Sequence, residues 1–151
     1  IFYKKNAQKT DLDVLLAECD LVSVHIPLNK ETNNMINKNW FKKMKKGSYF
    51  VTTSRGSIHN EDDLYDTLTE RHLAGAGLDV WEVEPPSSTH KLLKLENVIA
   101  SPHTAGNTID SRNKMSEFVA TQLLDIFDGK DPPRPVNSEV LGIFREKFKK
   151  I

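Results

Sequence analysis

The sequence predicts an α/β domain built on a mostly parallel sheet. Two observations carry this: strand and helix signals alternate from the first residues onward, and the connections between them are short. Ile1, Phe2 and Tyr3 read as the end of a strand. Thr10 offers an N-cap with Asp13 three residues on, and Leu12, Leu15, Leu16 and Cys19 make an apolar stripe at helical spacing. Residues 21–24 (Leu-Val-Ser-Val) form a short β-branched run suited to a sheet interior. Asn37 or Asn39 caps a short helix carrying Trp40, Phe41 and Met44, with Gly47 closing it. Residues 48–53 are β-branched and aromatic, hence a strand. Asn60 followed by Glu61, Asp62 and Asp63 puts three acids in a first helical turn, and Arg71 and His72 lie past its end, the polarity a helix dipole favours. Residues 74–81 and 97–100 are further strands. From Thr108 to Asp128 a long helix places Ile109, Met115, Phe118, Val119, Leu123, Leu124 and Phe127 on one face and stops at Gly129. The stretch 131–135 (Asp-Pro-Pro-Arg-Pro) is a stiff exit linker, and the basic residues 144–150 read as a short amphipathic helix or a frayed end.

Composition narrows the class. The 151 residues are 38% hydrophobic and 28% charged, the range of a globular chain of ordinary domain size. Its 21 basic residues are balanced by 21 acidic ones, which argues against a nucleic acid or an anionic membrane as partner. No apolar run approaches the ~18 residues of a spanning helix. The single cysteine, Cys19, cannot form an internal disulfide and points to a reducing compartment such as the cytoplasm. The segment Ile1 to Asn6 is too short for a signal peptide, and without an initiator Met the first residue reads as a cut edge.

In parallel sheets ligands bind beyond the carboxyl ends of the strands. Polar residues gather there in four places: His25 with Ile26 and Pro27, then Thr52 to Gly56, then Asp79 with Glu82 and Glu84, then Ser101 to His103. Taken singly each has an ordinary reading. Arg55-Gly56 could be a solvated turn, Asp79 could cap one, and one of Glu82 and Glu84 faces solvent. A two-carboxylate glycosidase site lacks a sugar platform. His59, His72 and His90 read as surface histidines, Cys19 as a buried inert thiol, and no His/Cys spacing resembles a metal site.

Four blocks share a resemblance. LLAECDLVSVHIPLNKET at residues 15–32, KGSYFVTTSRG at 46–56, LAGAGLDVWEVEP at 73–85 and NVIASPHTAGNT at 97–108 resemble, in order and spacing, the D-isomer-specific 2-hydroxyacid dehydrogenases. That resemblance implies a Rossmann-type, doubly wound parallel sheet, incomplete at its N-terminal side. It also implies a partial NAD(P)-binding domain over residues 1–130, with 131–151 as linker and C-terminal helix or tail. The implied function is hydride transfer between NAD or NADP and a small 2-hydroxy or 2-keto acid. The complete enzyme would be a cytoplasmic homodimer, and this chain alone inactive. A dinucleotide-sensing protein of the corepressor type, on the same fold, is the alternative.

By the same resemblance Arg55, Glu84 and His103 are the catalytic trio. Arg55 would grip the substrate carboxylate, His103 would exchange the proton at the keto oxygen, and Glu84 would hold the other ring nitrogen. Asp79 would meet the nicotinamide carboxamide. Ile26, Pro27, Thr32, Thr53, Ser54, Arg55, His103, Ala105 and Gly106 would line the cofactor. The sequence departs from the family pattern in four places. Thr52 stands where Asn is usual, and Thr104-Ala105-Gly106 replaces Ile-Gly-Gly. No G-x-G-x-x-G phosphate loop occurs, and the acid expected after the first strand is replaced by Lys4 and Lys5, which lean toward the 2′-phosphate of NADP.

Overall fold

Four short strands occur among the described residues, β1 (Leu21–Val24), β2 (Tyr49–Thr52), β3 (Gly75–Leu78) and β4 (Val98–Ala100). They pair in the order β1-β2-β3-β4, all parallel, with Leu21 opposite Tyr49, Tyr49 opposite Gly75 and Ala76 opposite Val98. The computed structural model describes residues 7–148. The strand expected at Ile1 to Tyr3, and with it Lys4 and Lys5, lies outside the described residues. Two compact units divide the chain, Ile1–Ala105 and Gly106–Ile151.

The first unit holds the sheet. Val22, Val24, Phe50, Ala76 and Leu78 share a core with Leu16 of α1 (Leu12–Glu18), Phe41 of α2 (Lys38–Lys43) and Leu64 and Leu68 of α3 (Glu61–Thr69). Phe41 and Phe50 meet edge to face with centroids 5.2 Å apart, a favoured aromatic geometry at the centre of that core. On the other face Leu21, Tyr49 and Ile99 are exposed.

Three boundaries differ from expectation. Asp11, not Thr10, occupies the N-cap of α1, and it makes no side-chain cap bond. Of the two asparagines it is Asn37 that caps α2, its side chain accepting from the amides of Asn39 and Trp40. That helix ends at Met44, so Gly47, at φ +84°, belongs to the following turn and does not close the helix. Strand β3 is shorter than the apolar run 74–81. It has partners only as far as Leu78, after which the Asp79 amide donates to Thr52 and the chain leaves the sheet.

Three histidines expected at the surface, His59, His72 and His90, are buried or half-buried. His59 is 2% exposed and is packed against Phe50, and neither of its ring nitrogens has a hydrogen-bond partner. His72 and His90 are half-buried, bonded to the Met44 carbonyl and to Glu61. Burial pushes the His59 pKa down to about 4, against the opposing pull of Glu61. Because the folded value lies below the ordinary 6.5, the unfolded chain binds the proton more tightly. The contribution is intact above pH 6.5 and is lost as pH falls from 6.5 toward 4, by roughly 3 kcal/mol in all. His59→Leu is expected to remove that acid sensitivity and to add about 1–2 kcal/mol at pH 7 by eliminating two orphaned polar atoms. Urea unfolding at pH 7 and pH 4.5 measures both effects, and an unchanged acid slope in the variant would refute the assignment.

The second unit contains α4 (Ile109–Phe127) and α5 (Leu141–Phe148). Thr108 opens α4 with a reciprocal capping box, its hydroxyl accepting from the Ser111 amide and Ser111 Oγ accepting from the Thr108 amide. The helix therefore begins and ends where the sequence indicates. Its apolar stripe, however, is not buried: Ile109, Met115, Phe118, Val119, Leu123, Leu124 and Phe127 are all exposed. Periodicity identifies the apolar side of a helix but not what covers it. Asp131 in the linker pairs with Arg145 of α5. Among the described residues no helix is long and apolar enough to cross a membrane.

Candidate active site

The carboxyl ends of β1, β2 and β3 and the segment after β4 deliver the expected residues to one edge of the sheet. Ser54 ties two of those ends together, its buried hydroxyl donating to the Val24 carbonyl at 2.7 Å. Next to it Arg55 is exposed, with Nη1 donating to the Ser54 carbonyl at 2.6 Å. The rest of the guanidinium fork has no protein partner among the described residues. A cleft of about 640 Å³ opens here, lined by residues 25–28 and by Thr53, Ser54 and Arg55. Its walls combine the apolar bodies of Ile26, Pro27 and Leu28 with one cation, a donor set that fits a flat, partly apolar ring beside an anionic group. Thr32 stands behind this wall and shapes it: its hydroxyl donates to the Pro27 carbonyl at 2.7 Å and accepts from the Asn29 amide at 2.8 Å.

Gly56 brings Arg55 to the next segment. A Cβ at this position would lie 1.9 Å from the carbonyl atoms of Trp81 and 2.4 Å from the Glu82 amide nitrogen. Only glycine permits that approach. Glu84 follows two residues later and accepts from the Trp81 amide at 3.1 Å.

His103 Nδ1 lies 2.7 Å from Glu84 Oε2. A carboxylate can only accept, so this nitrogen carries the proton and Nε2 remains for exchange. The hydrogen bond from His103 is the main cause that holds the Glu84 carboxyl below the usual range, aided by the Trp81 amide and by the charges of His103 and Arg55.

His103 has a φ of +56°, a left-handed conformation uncommon for residues other than glycine. Asp79 stabilises the turn so formed. Its Oδ1 accepts from Ser101 Oγ at 2.5 Å and from the Thr104 amide at 2.8 Å, and its Oδ2 accepts from the Ala105 amide at 2.9 Å. Burial raises the Asp79 pKa, but these bonds and nearby His103 outweigh it and leave the group below its ordinary value. Asp79 is thus engaged on both sides of His103. Gly106 belongs to the second unit.

Two residues position this site through contacts that the local sequence does not indicate: Ser101, from the fourth strand-end cluster, and Trp81. Ser101 holds Asp79 and accepts, through its carbonyl, from Trp81 Nε1 at 3.0 Å. Trp81 holds Glu84. Their position just beyond strand ends was the available signal, but nothing local indicates that one would reach the other across 20 residues.

Comparison with known proteins supplies the family. The family model described as "D-isomer specific 2-hydroxyacid dehydrogenase, NAD binding domain" matches residues 2–105. The chain is 44% identical over 138 residues to a glyoxylate reductase of Thermofilum pendens, covering 91% of this chain and 41% of that protein. Among solved structures it resembles a D-isomer specific 2-hydroxyacid dehydrogenase of Lactobacillus delbrueckii ssp. bulgaricus in its NAD complexed form. That match has a TM-score of 0.78 and 35% identity, and covers 85% of this chain and 43% of the other. A second resemblance is to the enzyme from Xanthobacter autotrophicus Py2 in complex with NADPH and MES, at TM-score 0.71 and 29% identity, covering 83% of this chain and 51% of that one. The chain spans about two fifths of the length of the curated glyoxylate reductases it matches. That family model covers more than half of the chain, and the chain belongs to the D-isomer specific 2-hydroxyacid dehydrogenases through their NAD-binding domain.

Proposed function

We propose that the protein carrying this chain reduces a small 2-keto acid such as glyoxylate, with Arg55, Glu84 and His103 as its catalytic residues. The observation that carries the reading is the 2.7 Å contact between His103 Nδ1 and Glu84 Oε2, with Arg55 beside Gly56, whose backbone abuts Trp81 and Glu82. The relative in Thermofilum pendens, a glyoxylate reductase, supports the substrate class.

The nicotinamide, when bound, supplies the hydride. The residues of this chain supply the rest. Arg55 offers a planar fork that grips the substrate carboxylate and polarises the adjacent carbonyl. His103 gives the proton on Nε2 to the keto oxygen as charge develops there, and Glu84 keeps the ring oriented by accepting from Nδ1. Ile26, Pro27, Thr53, Ser54 and Ala105 line the cofactor in this reading. Thr32, Arg55 and His103 belong to the same lining, and Gly106 follows Ala105 in the chain. Asp79, expected at the nicotinamide carboxamide, is buried with both oxygens bonded and instead fixes the turn that carries His103. Residues 1–130 form part of the dinucleotide-binding domain and 131–151 the linker and tail. The working enzyme is a cytoplasmic homodimer, consistent with its unpaired Cys19 and the exposed apolar side of α4.

Reduction of glyoxylate and hydroxypyruvate by the full-length protein with reduced cofactor tests the reading, and no turnover of any 2-keto acid would overturn it. Arg55→Lys is expected to raise KM and lower kcat together, cutting kcat/KM by about 10–10²-fold, the worth of one charge-assisted hydrogen bond. A change confined to KM would mean that Arg55 contributes binding alone.

Cofactor choice follows from charge. Two ammonium groups at Lys4 and Lys5, with no acid before Asp11, attract a 2′-phosphate and leave a plain ribose without an acceptor. NADPH is therefore expected to give the higher kcat/KM, with the preference falling in Lys4→Ala and Lys5→Ala. A preference for NADH that both variants leave unchanged would refute this.

A further inference from the structure

Residues 81–86 make no backbone–backbone hydrogen bond among the described residues, although this segment carries Glu84. Side chains hold it instead, and the deepest of them is Glu61. This residue opens α3 and is only 8% exposed. Its neighbour Asp62 already complements the helix dipole from the surface, where it pairs with Lys91 at 2.6 Å, so the helix gives no reason to bury a second carboxylate. Both oxygens of Glu61 are engaged with other segments: Oε1 accepts from the Glu82 amide at 2.8 Å, and Oε2 lies 3.0 Å from His90 Nε2. His90 Nδ1 accepts from the Leu92 amide at 3.3 Å, which leaves Nε2 as the nitrogen that donates to Glu61. The His90 ring in turn packs edge-on against Trp81, at 5.4 Å between centroids.

Trp81 is the link to the catalytic pair. Its amide donates to Glu84 Oε1 at 3.1 Å, and its indole donates to the carbonyl of Ser101, two residues before His103. The Glu61–His90 pair thus holds the two residues, Trp81 and Glu82, from which both the carboxylate and the His103 segment are fixed. We propose that Glu61 and His90 are positioning residues that set the Glu84 carboxylate against His103, a role that rests on the reading of His103 as the proton donor. A buried carboxylate is costly unless both oxygens are bonded, so its retention here is matched by what it orients.

A double-mutant cycle in the full-length protein tests this. Glu61→Ala is expected to lower kcat at least 10-fold beside native Glu84, since small displacements of catalytic groups carry penalties of that order. In the Glu84→Gln background the same substitution should change kcat by less than about twofold, because the group it positions is already disabled. Asp62→Asn, which breaks the surface pair on the same two elements, should leave kcat unchanged. Without cofactor, ¹⁵N spectra of the neutral His103 ring should show the Nδ1–H tautomer in the native protein and a mixture in Glu61→Ala. Should Glu61→Ala fail to fold, Glu61→Gln retains an acceptor for the Glu82 amide but faces His90 with a second donor, and it must show the same background dependence. An equal loss of kcat in both backgrounds, or none beside native Glu84, overturns the proposal. If Glu84→Gln and His103→Ala themselves leave kcat intact, the underlying reading has failed instead, and the inference falls with it.

Discussion

His103→Ala is expected to lower kcat for keto-acid reduction by about 10²–10⁴-fold while leaving the fold intact. The ring is exposed and contributes no core packing, so its removal takes away one hydrogen bond to Glu84 and the proton carried on the imidazole. Without it the keto oxygen must draw its proton from water, which the positioned ring outcompetes by that factor. Alanine also lacks the ring that pulls the Glu84 carboxyl below its usual range, so the Glu84 pKa should rise in the variant. The left-handed conformation at position 103 costs alanine more than histidine, a small penalty beside the chemical one. Steady-state kinetics with saturating keto acid, together with a thermal unfolding control, decides the matter. A loss below tenfold in a normally folded variant would take His103 out of the proton-transfer role.

Gly56→Ala is expected to be the most damaging single methyl in the sheet-bearing unit. The atoms that its Cβ would meet at 1.9 and 2.4 Å are backbone atoms of Trp81 and Glu82, which cannot rotate aside. The whole segment must withdraw, at about 3 kcal/mol or more. Glu61 resists that withdrawal because it holds the Glu82 amide from the other side. The displacement separates Arg55 from the segment carrying Glu84, so surviving protein should also lose about 10²-fold in kcat. Urea unfolding and kinetics on the same preparation measure the two effects, and native stability with native kcat would contradict the close approach.

Much of this molecule was legible from local pattern. The strands at 21–24, 49–52 and 98–100, the Asn60 cap and the span of α4 follow from apolar periodicity and from side chains that bond amides two or three residues away. Those energies act within one turn of helix or one strand, so the linear sequence contains them. The trio of Arg55, Glu84 and His103 came from the resemblance of whole blocks, supported by the rule that parallel strands present functional residues at their carboxyl ends.

Where each of those residues points was decided elsewhere. Glu84 and His103 are 19 residues apart, Trp81 and Ser101 20, and Glu61 and His90 29, and no local propensity couples them. Their meeting depends on the parallel register of β2, β3 and β4, which places the segments after the strands side by side. The burial of His59 has the same origin, since position 59 faces inward only because its segment bridges to Ile36 beside the Phe50 core. The sequence by itself determined which elements form and which residue types stand at their ends, because those preferences are settled between near neighbours. Tertiary structure alone decided which of those ends touch, because contact across 20 or 30 residues is set by core packing and strand register, energies that belong to the folded chain as a whole.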